Sequence, residues 1–153
     1  MITRRIFLLF GLVAGTARAQ LPPNIGEIRK KALDDAVRKV VGNHPVREGR
    51  VKLDLPPLID NGNTVPLSVE VESPMTEADH VKAIHVFTER NPQPYVLTAH
   101  LGPRAGRARI STRARIADTG IVMAIAELSD GSFWSGSVKV IVTLSACLEE
   151  GLI

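Results

Sequence analysis

The feature that most constrains the fold of this 153-residue chain is a change in the spacing of its apolar residues near Gly49. Before that point, apolar side chains between residues 25 and 41 recur at helical spacing. Asn24 and Glu27 resemble a capping box at the start of this segment, and Gly42 is a typical helix-ending residue. Beyond Gly49 the apolar residues alternate with a period of two, which is typical of half-buried strands. The sequence therefore predicts one N-terminal helix followed by a domain of β-strands.

The alternating part of the chain divides into seven predicted strands, separated by turn residues such as Asn61-Gly62 and Gly102-Pro103. These strands span residues 50–55, 64–73, 81–89, 95–101, 107–116, 120–128 and 133 to about 146. Seven short strands after one helix predict an all-β fold, an immunoglobulin-like β-sandwich. Because Pro66 cannot donate a backbone hydrogen bond, the second predicted strand is expected to lie at a sheet edge or to carry a bulge there.

The first nineteen residues have the layout of an export signal. Arg4 and Arg5 precede an apolar run, and Ala17-Arg18-Ala19 supplies small residues at a cleavage site. Paired arginines before Phe and Leu resemble a twin-arginine signal, which predicts export to the periplasm. The run is much shorter than the roughly 20 residues of a membrane helix, and no later stretch comes closer, so we expect no membrane span.

Removal of residues 1–19 leaves roughly 130 residues, which is enough for one domain. We expect residues 20–48 to form a helical segment, residues 49–147 the sandwich and residues 148–153 a C-terminal tail. The 19 basic and 16 acidic residues of the whole chain become equal in number when Arg4, Arg5 and Arg18 leave with the signal. This balance argues against nucleic-acid binding through bulk charge.

The chain has one cysteine, Cys147, directly after the last predicted strand, so it cannot form a disulfide within the chain. Alternation along that strand places Cys147 on the more polar face, with Thr143 and Ser145. One interpretation is a small buried apolar side chain, which is the common role of a free cysteine, and another is a reactive thiol on a mobile tail. A third interpretation is an intermolecular disulfide that makes a covalent dimer.

Four arginines share one face of the fifth predicted strand: Arg107, Arg109, Arg113 and Arg115. Small and apolar residues alternate with them and would point to the core. One interpretation is a solvated outer face that discourages association between sheet edges. The other is a docking site for an anion or a partner, because guanidinium groups bind carboxylates and oxyanions through paired hydrogen bonds.

No pattern in the sequence predicts catalysis or a metal site. The histidines at 44, 80, 85 and 100 lack metal-ligand spacing, and His85 lies within a strand that is predicted to be buried. There is no nucleophile-elbow, phosphate-loop or Cys-x-x-Cys motif, and the spacing of the carboxylates singles out no acid–base pair. We therefore expect a protein without a cofactor or a metal, which is not a self-sufficient enzyme.

Several short segments together resemble a known family. They are Gly-Asn-Thr-Val-Pro-Leu at 62–67, Ser-Pro-Met-Thr at 73–76, His-Val-Phe at 85–87, His-Leu-Gly-Pro at 100–103 and Ala-Glu-Leu-Ser-Asp-Gly-Ser-Phe-Trp at 126–134. They resemble SoxY, the sulfur-carrier subunit of the periplasmic thiosulfate-oxidising system, over the stretch from about Gly49 to Cys147. The resemblance implies tight pairing with SoxZ, another immunoglobulin-like protein, and covalent carriage of sulfur on Cys147 for periplasmic sulfur-oxidation enzymes. It also implies that the carrier itself is not catalytic.

The C-terminus departs from the pattern of that family. Where the family has Gly-Gly-Cys-Gly-Gly, a thin and flexible arm, this chain has Ser-Ala-Cys-Leu-Glu followed by a second glutamate. Glu149 and Glu150 would repel an anionic sulfur donor. The alternative function is therefore a divergent binding or assembly subunit that keeps the partner interface but does not carry sulfur.

Overall fold

The computed structural model describes residues 24–143 of the chain. Within them it contains one α-helix, α1 (Ile25–Val41), and a 3-10 turn at Pro103–Ala105. The strands of this part of the chain are β1 (Val46–Glu48), β2 (Val51–Asp54), β3 (Leu58–Ile59), β4 (Val65–Val71), β5 (Val81–Thr88), β6 (Tyr95–His100), β7 (Ala108–Ala114), β8 (Gly120–Leu128) and β9 (Phe133–Val142). The predicted signal at 1–19, the predicted tail at 148–153 and Cys147 lie outside the described residues.

The strands form two sheets that face each other as a sandwich. One sheet has the order β1-β9-β8-β5-β6, with β3 also paired to β9, and the other has the order β2-β4-β7. Apolar side chains from both sheets form the core, and they include Val69, Ile84, Val86, Val122 and Val140. Along β4, burial of alternate residues separates the core face from the outer face, whereas β5 is buried on both faces from Ala83 to Thr88. The predicted all-β, immunoglobulin-like sandwich with an N-terminal helix is confirmed.

The seven predicted strands correspond to β2 and β4 to β9, and most of their ends shift by at most two residues. The exception is β9, which ends at Val142 rather than near residue 146. Pairing with β8 stops earlier, because Gly120 opposite Val140 is the first residue of β8. The prediction missed β1 and β3, which both pair with β9 in parallel. Strands of two or three residues are too short to show an alternating pattern.

The prediction for Pro66 needs a correction. β4 is the central strand of the three-stranded sheet, and its pairing with β7 runs without a bulge from Val65 to Val71. β2, however, pairs only with residues 68–71 of β4. Pro66 therefore lies beyond the end of β2, where one side of β4 has no strand partner. A missing N–H is tolerated there, although the strand as a whole is central.

Helix α1 packs on the outer face of the larger sheet, and the sequence had left open whether it packs there or on a partner. Near the helix C-terminus, Val41 joins Phe87, Ile125 and Phe133 in a second apolar cluster. The first turn of the helix remains exposed, including Ile25. Among the residues that the structure describes, no helix combines the length and the apolar character needed to cross a bilayer.

Candidate functional site

The four arginines of the predicted docking stripe are exposed, on β7 or directly beside it. Ala108 and Ala114 are buried on the opposite face of the strand, as the alternation predicts. Both interpretations of the stripe require this exposure. Its role in docking therefore remains a prediction.

Strand register separates this stripe into two parts. Arg109 lies opposite Glu70 of β4, and Glu70 in turn lies opposite Lys52 of β2. Arg113 lies opposite Pro66, beyond the end of β2, so no cross-strand carboxylate faces it. Within residues 24–143, neither Arg109 nor Arg113 forms an ion pair. The positive charge at the Arg113 end is therefore less compensated than the charge near Arg109.

A groove of about 650 Å³ lies beside the Arg113 end, between the edge strand β6 of the larger sheet and the edge strand β7 of the smaller one. Its apolar lining includes Val96, Leu97 and Ala117. No acidic residue lines it, and the polar side chains that do are Asn91, Gln93, Tyr95, Arg113 and Arg115. We call this feature the β6–β7 groove. Two guanidinium groups above an apolar floor suit a ligand that has both anionic and apolar parts. The structure places Arg113 and Arg115 at this site but not Arg107 or Arg109.

Asn91 fixes one end of the β6–β7 groove. Its Nδ2 donates to the carbonyl oxygen of Arg115 at 2.9 Å, and its Oδ1 accepts from the backbone N–H of Ala117 at 2.8 Å. Both bonds hold the loop after β5 against the chain that leaves β7. No local signal could have revealed these bonds, because their partners lie 24 and 26 positions away along the chain.

The end of β9 lies close to the β6–β7 groove. The backbone N–H of Val142 donates to Thr119 Oγ1 at 2.9 Å, and the N–H of Thr143 donates to the carbonyl oxygen of Ile59 at 2.9 Å. Ala117, which lines the groove, precedes Thr119 by two residues, a Cα separation of at most about 7 Å. The chain that continues towards Cys147 therefore leaves the sandwich at the same end as the groove.

His85 is the one histidine that is buried among the described residues, with 8% of its surface exposed. Its Nδ1 lies 2.6 Å from Thr98 Oγ1, and that hydroxyl accepts a hydrogen bond from the Tyr95 hydroxyl at 2.7 Å. Within residues 24–143, Nε2 of His85 is buried and has no hydrogen-bond partner. Burial lowers the pKa of His85 and favours its neutral form. In the same part of the chain, no group of three or more His, Cys, Asp or Glu side chains could hold a metal ion.

We expect the protein to lose stability as the pH falls below about 6.5, the pKa of an unperturbed histidine, and we expect His85 to contribute to this loss. Its pKa is lowered by burial in the folded state, so the unfolded chain binds the proton more readily. The contribution of neutral His85 is complete above the unfolded pKa and is lost as the pH falls towards the folded pKa. One proton gives a slope of at most about 1.4 kcal/mol per pH unit.

Urea unfolding of the native protein and of a His85→Phe variant between about pH 5 and pH 8 measures this contribution. The other three histidines are present in both proteins and serve as the internal control. The variant should have the shallower dependence of unfolding free energy on pH. Equal slopes would show that His85 is not responsible.

Comparison with known proteins gives one family match. Residues 37–147 match the family model described as sulfur oxidation protein SoxY. This range begins inside α1, includes all nine strands of the described residues and ends at Cys147. No curated protein sequence gives a significant match.

Solved structures with a similar fold include a sulfur carrier and two reductases. The sulfur carrier protein SoxY from Chlorobium limicola f thiosulfatophilum superposes with a TM-score of 0.63 and 27% sequence identity, covering 74% of this chain and 98% of that chain. A superoxide reductase (neelaredoxin) from Ignicoccus hospitalis has a TM-score of 0.55 and 14% identity, covering 61% of this chain and 80% of its own. A superoxide reductase from Nanoarchaeum equitans has a TM-score of 0.52 and 10% identity, covering 63% of this chain and 100% of its own.

The two reductases show only a shared fold, because their sequence identities are so low. The family match is of a different kind, since it extends over most of the chain. On the strength of that match, the chain belongs to the SoxY family.

Proposed function

We propose that this protein is a sulfur carrier that holds intermediates of thiosulfate oxidation covalently on Cys147. The observation that carries the proposal is the family match, which ends at Cys147 itself. A SoxY sulfur carrier also stands among the similar solved structures, at 27% identity. The match includes the sandwich and the single cysteine of the chain, which supports this thiol as the attachment point.

The position of the end of β9 supports the same role. Val142 is the last strand residue, and Cys147 follows it by five positions. The backbone N–H of Thr143 donates to the carbonyl oxygen of Ile59, the last residue of β3, so the described part of the chain ends at a fixed point on the sandwich. A carrier needs its thiol within reach of other proteins, and a site beyond the last strand of a rigid domain meets that need.

The chemistry of loading requires a second protein. Joining the Cys147 sulfur to the outer sulfur of thiosulfate forms one S–S bond and releases the thiol proton and two electrons. We assign the two electrons to a separate redox enzyme of the pathway. The carrier contributes the thiolate nucleophile and presents the product, and other enzymes act on the bound sulfur.

We also propose a SoxZ-like immunoglobulin-like subunit as the partner, in the periplasm after cleavage of the predicted signal. The larger sheet exposes Leu58 on β3, Ile141 on β9 and Ile121 on β8, which are 56%, 53% and 40% exposed. Leu58 lies directly opposite Ile141. We call these three residues the β3–β9–β8 patch. Neighbouring exposed apolar side chains of this kind are typical of protein interfaces, and the family supplies the partner.

The carrier function is tested by intact-mass measurement of the mature protein after incubation with thiosulfate and an oxidising partner enzyme. We expect a mass increase on the chain that a thiol reductant reverses. A Cys147→Ser variant in the same mixture is the control and should stay unmodified. Absence of a reversible adduct on the native protein would count decisively against the carrier function.

The second candidate, an assembly subunit that does not carry sulfur, is favoured by the C-terminal sequence. Leu148 and Glu149 stand where the family has the two glycines after the cysteine, and Glu150 follows them. A Cys147→Ala protein distinguishes the two functions in a reconstituted system. If thiosulfate oxidation continues at the native rate, the protein serves assembly only. If oxidation stops while the partner still binds, the thiol is required. Electrophoresis without reductant reveals a Cys147–Cys147 dimer in either case.

A further inference from the structure

We propose that the β6–β7 groove is a docking site for the protein's own C-terminal segment, residues 148–153, with Glu149 and Glu150 paired to Arg113 and Arg115. The docking itself does not require sulfur carriage. Its consequence for the loading of Cys147 rests on the proposed carrier function.

Charge complementarity is the first argument. The groove presents two guanidinium groups, and no acidic residue lines it. Arg113 forms no ion pair with any residue between 24 and 143 and faces Pro66 across the strand pair. Among the residues beyond 143, the acidic ones are Glu149 and Glu150. The tail and the groove therefore match in charge, with two adjacent carboxylates in the one and two cations in the other.

The apolar residues of the segment also match the groove. Leu148 and Leu152 flank the two glutamates in the sequence. Val96, Leu97 and Ala117 provide apolar surface between the strands. A segment in which apolar and acidic residues are interspersed can place its aliphatic side chains on this floor while its carboxylates meet the arginines at the rim.

The chain is long enough for this contact. The segment leaves from Thr143, whose neighbour Val142 is hydrogen-bonded to Thr119. Thr119 lies within about 7 Å of Ala117 in the groove, measured between Cα atoms. The six residues from Thr143 to Glu149 span up to about 20 Å when extended. Glu149 can therefore reach the groove without any change in the sandwich.

Docking would remove the obstacle that the two glutamates pose to an anionic sulfur donor. When paired with Arg113 and Arg115, their charges are neutralised locally, so a thiosulfate ion approaching Cys147 meets less repulsion. The same contact restricts the segment around the thiol. Two exposed ion pairs are weak, so the docked state is in exchange with an undocked one and is sensitive to salt.

The test is the rate at which iodoacetamide, an uncharged reagent, modifies Cys147 in the full-length mature protein. In low salt the native protein should react about five-fold more slowly than an Arg113→Glu, Arg115→Glu variant, the factor expected for two exposed ion pairs. High salt should raise the rate of the native protein towards that of the variant. Arg109→Glu is the matched control, because Arg109 is exposed on the same strand but does not line the groove. It should react as slowly as the native protein.

A charge exchange separates docking from a simple effect of charge on the thiol. Adding Glu149→Arg and Glu150→Arg to the Arg113→Glu, Arg115→Glu variant should restore the slow reaction. Arginines beside Cys147 would by themselves favour the thiolate and speed the reaction, so restored protection can come only from renewed contact. Arg113→Gln with Arg115→Gln provides a milder pair of substitutions, and it should also react faster than the native protein.

Three results would overturn the proposal: equal rates in the native and Arg113→Glu, Arg115→Glu proteins, loss of protection in Arg109→Glu as well, or no rescue by the charge exchange. If Glu149→Gln with Glu150→Gln leaves the rate unchanged while sulfate or thiosulfate alters it only when Arg113 and Arg115 are present, the groove binds a free anion instead. The alkylation rate needs no sulfur adduct, so docking and carriage succeed or fail separately.

Discussion

Replacing Ile141 with glutamate should weaken binding of the proposed SoxZ-like subunit at least about 30-fold while leaving the fold intact. Ile141 is 53% exposed at the centre of the β3–β9–β8 patch, with Leu58 beside it on β3. Its replacement costs the free chain little, because the side chain already faces solvent. In a complex the carboxylate would be buried against an apolar surface without a partner charge, which costs about 2 kcal/mol or more. Titration calorimetry with the purified partner measures the change.

Thr112→Glu is the control for that substitution. Thr112 is exposed on β7, in the other sheet, so the same side chain is introduced at a strand position outside the patch. We expect the control to bind the partner with native affinity. If Ile141→Glu also binds with native affinity, the β3–β9–β8 patch is not the partner interface.

Replacing Gly136 with alanine should lower the free energy of unfolding by about 3 kcal/mol, towards the upper end of the usual cost of overpacking. Gly136 lies on β9, close to the segment that leads from β1 in the larger sheet to β2 in the smaller one. A Cβ atom at this position would overlap the backbone carbonyl of Val51 and would stand 3.3 Å from Leu53 Cδ1. The carbonyl is part of the backbone at the start of β2, so it cannot rotate away as a side chain could. Urea unfolding measures the loss.

Gly102→Ala is the matched control, since it makes the same substitution where an added Cβ meets no atom within 4 Å. Gly102 also has a φ of −131°, which any residue adopts. Its stability should stay within about 0.5 kcal/mol of the native value. A Gly136→Ala protein as stable as the Gly102→Ala protein would show that β2 shifts freely and that the close approach carries no energetic cost.

The parts of the fold that were predictable from sequence are those in which one face of a strand is buried. In β7, the arginines alternate with Ala108, Ile110 and Ala114; the two alanines are buried and Ile110 is partly buried, so the period is preserved in the structure. β8 has the predicted bounds because turn residues precede and follow it. Burial on one face fixes the register of such strands and therefore leaves a clear mark in the sequence.

The parts that were not predictable depend on contacts between distant segments. β4 tolerates Pro66 because β2 ends before reaching it, and nothing near Pro66 in the sequence reports that end. The β6–β7 groove depends on Asn91 binding the chain after β7, across more than twenty residues. The sequence identified Arg113 and Arg115 as candidates but could not distinguish them from Arg107 and Arg109. The position of the groove between the edge strands β6 and β7 makes that distinction.

The anchoring of Thr143 sets a limit on the architecture of any enzyme that acts on Cys147. Four peptide units separate these residues, so their Cα atoms can never be more than about 14 Å apart, whatever path the chain takes. An active site that receives the cysteine therefore cannot lie deeper than that below its protein's surface. The loops around Asp60 and Thr119 border the anchor, so an enzyme that takes in the cysteine to that depth is expected to contact them. If Cys147 carries sulfur as proposed, substitutions at these loops should slow every enzyme that acts on the bound sulfur, whatever reaction it performs.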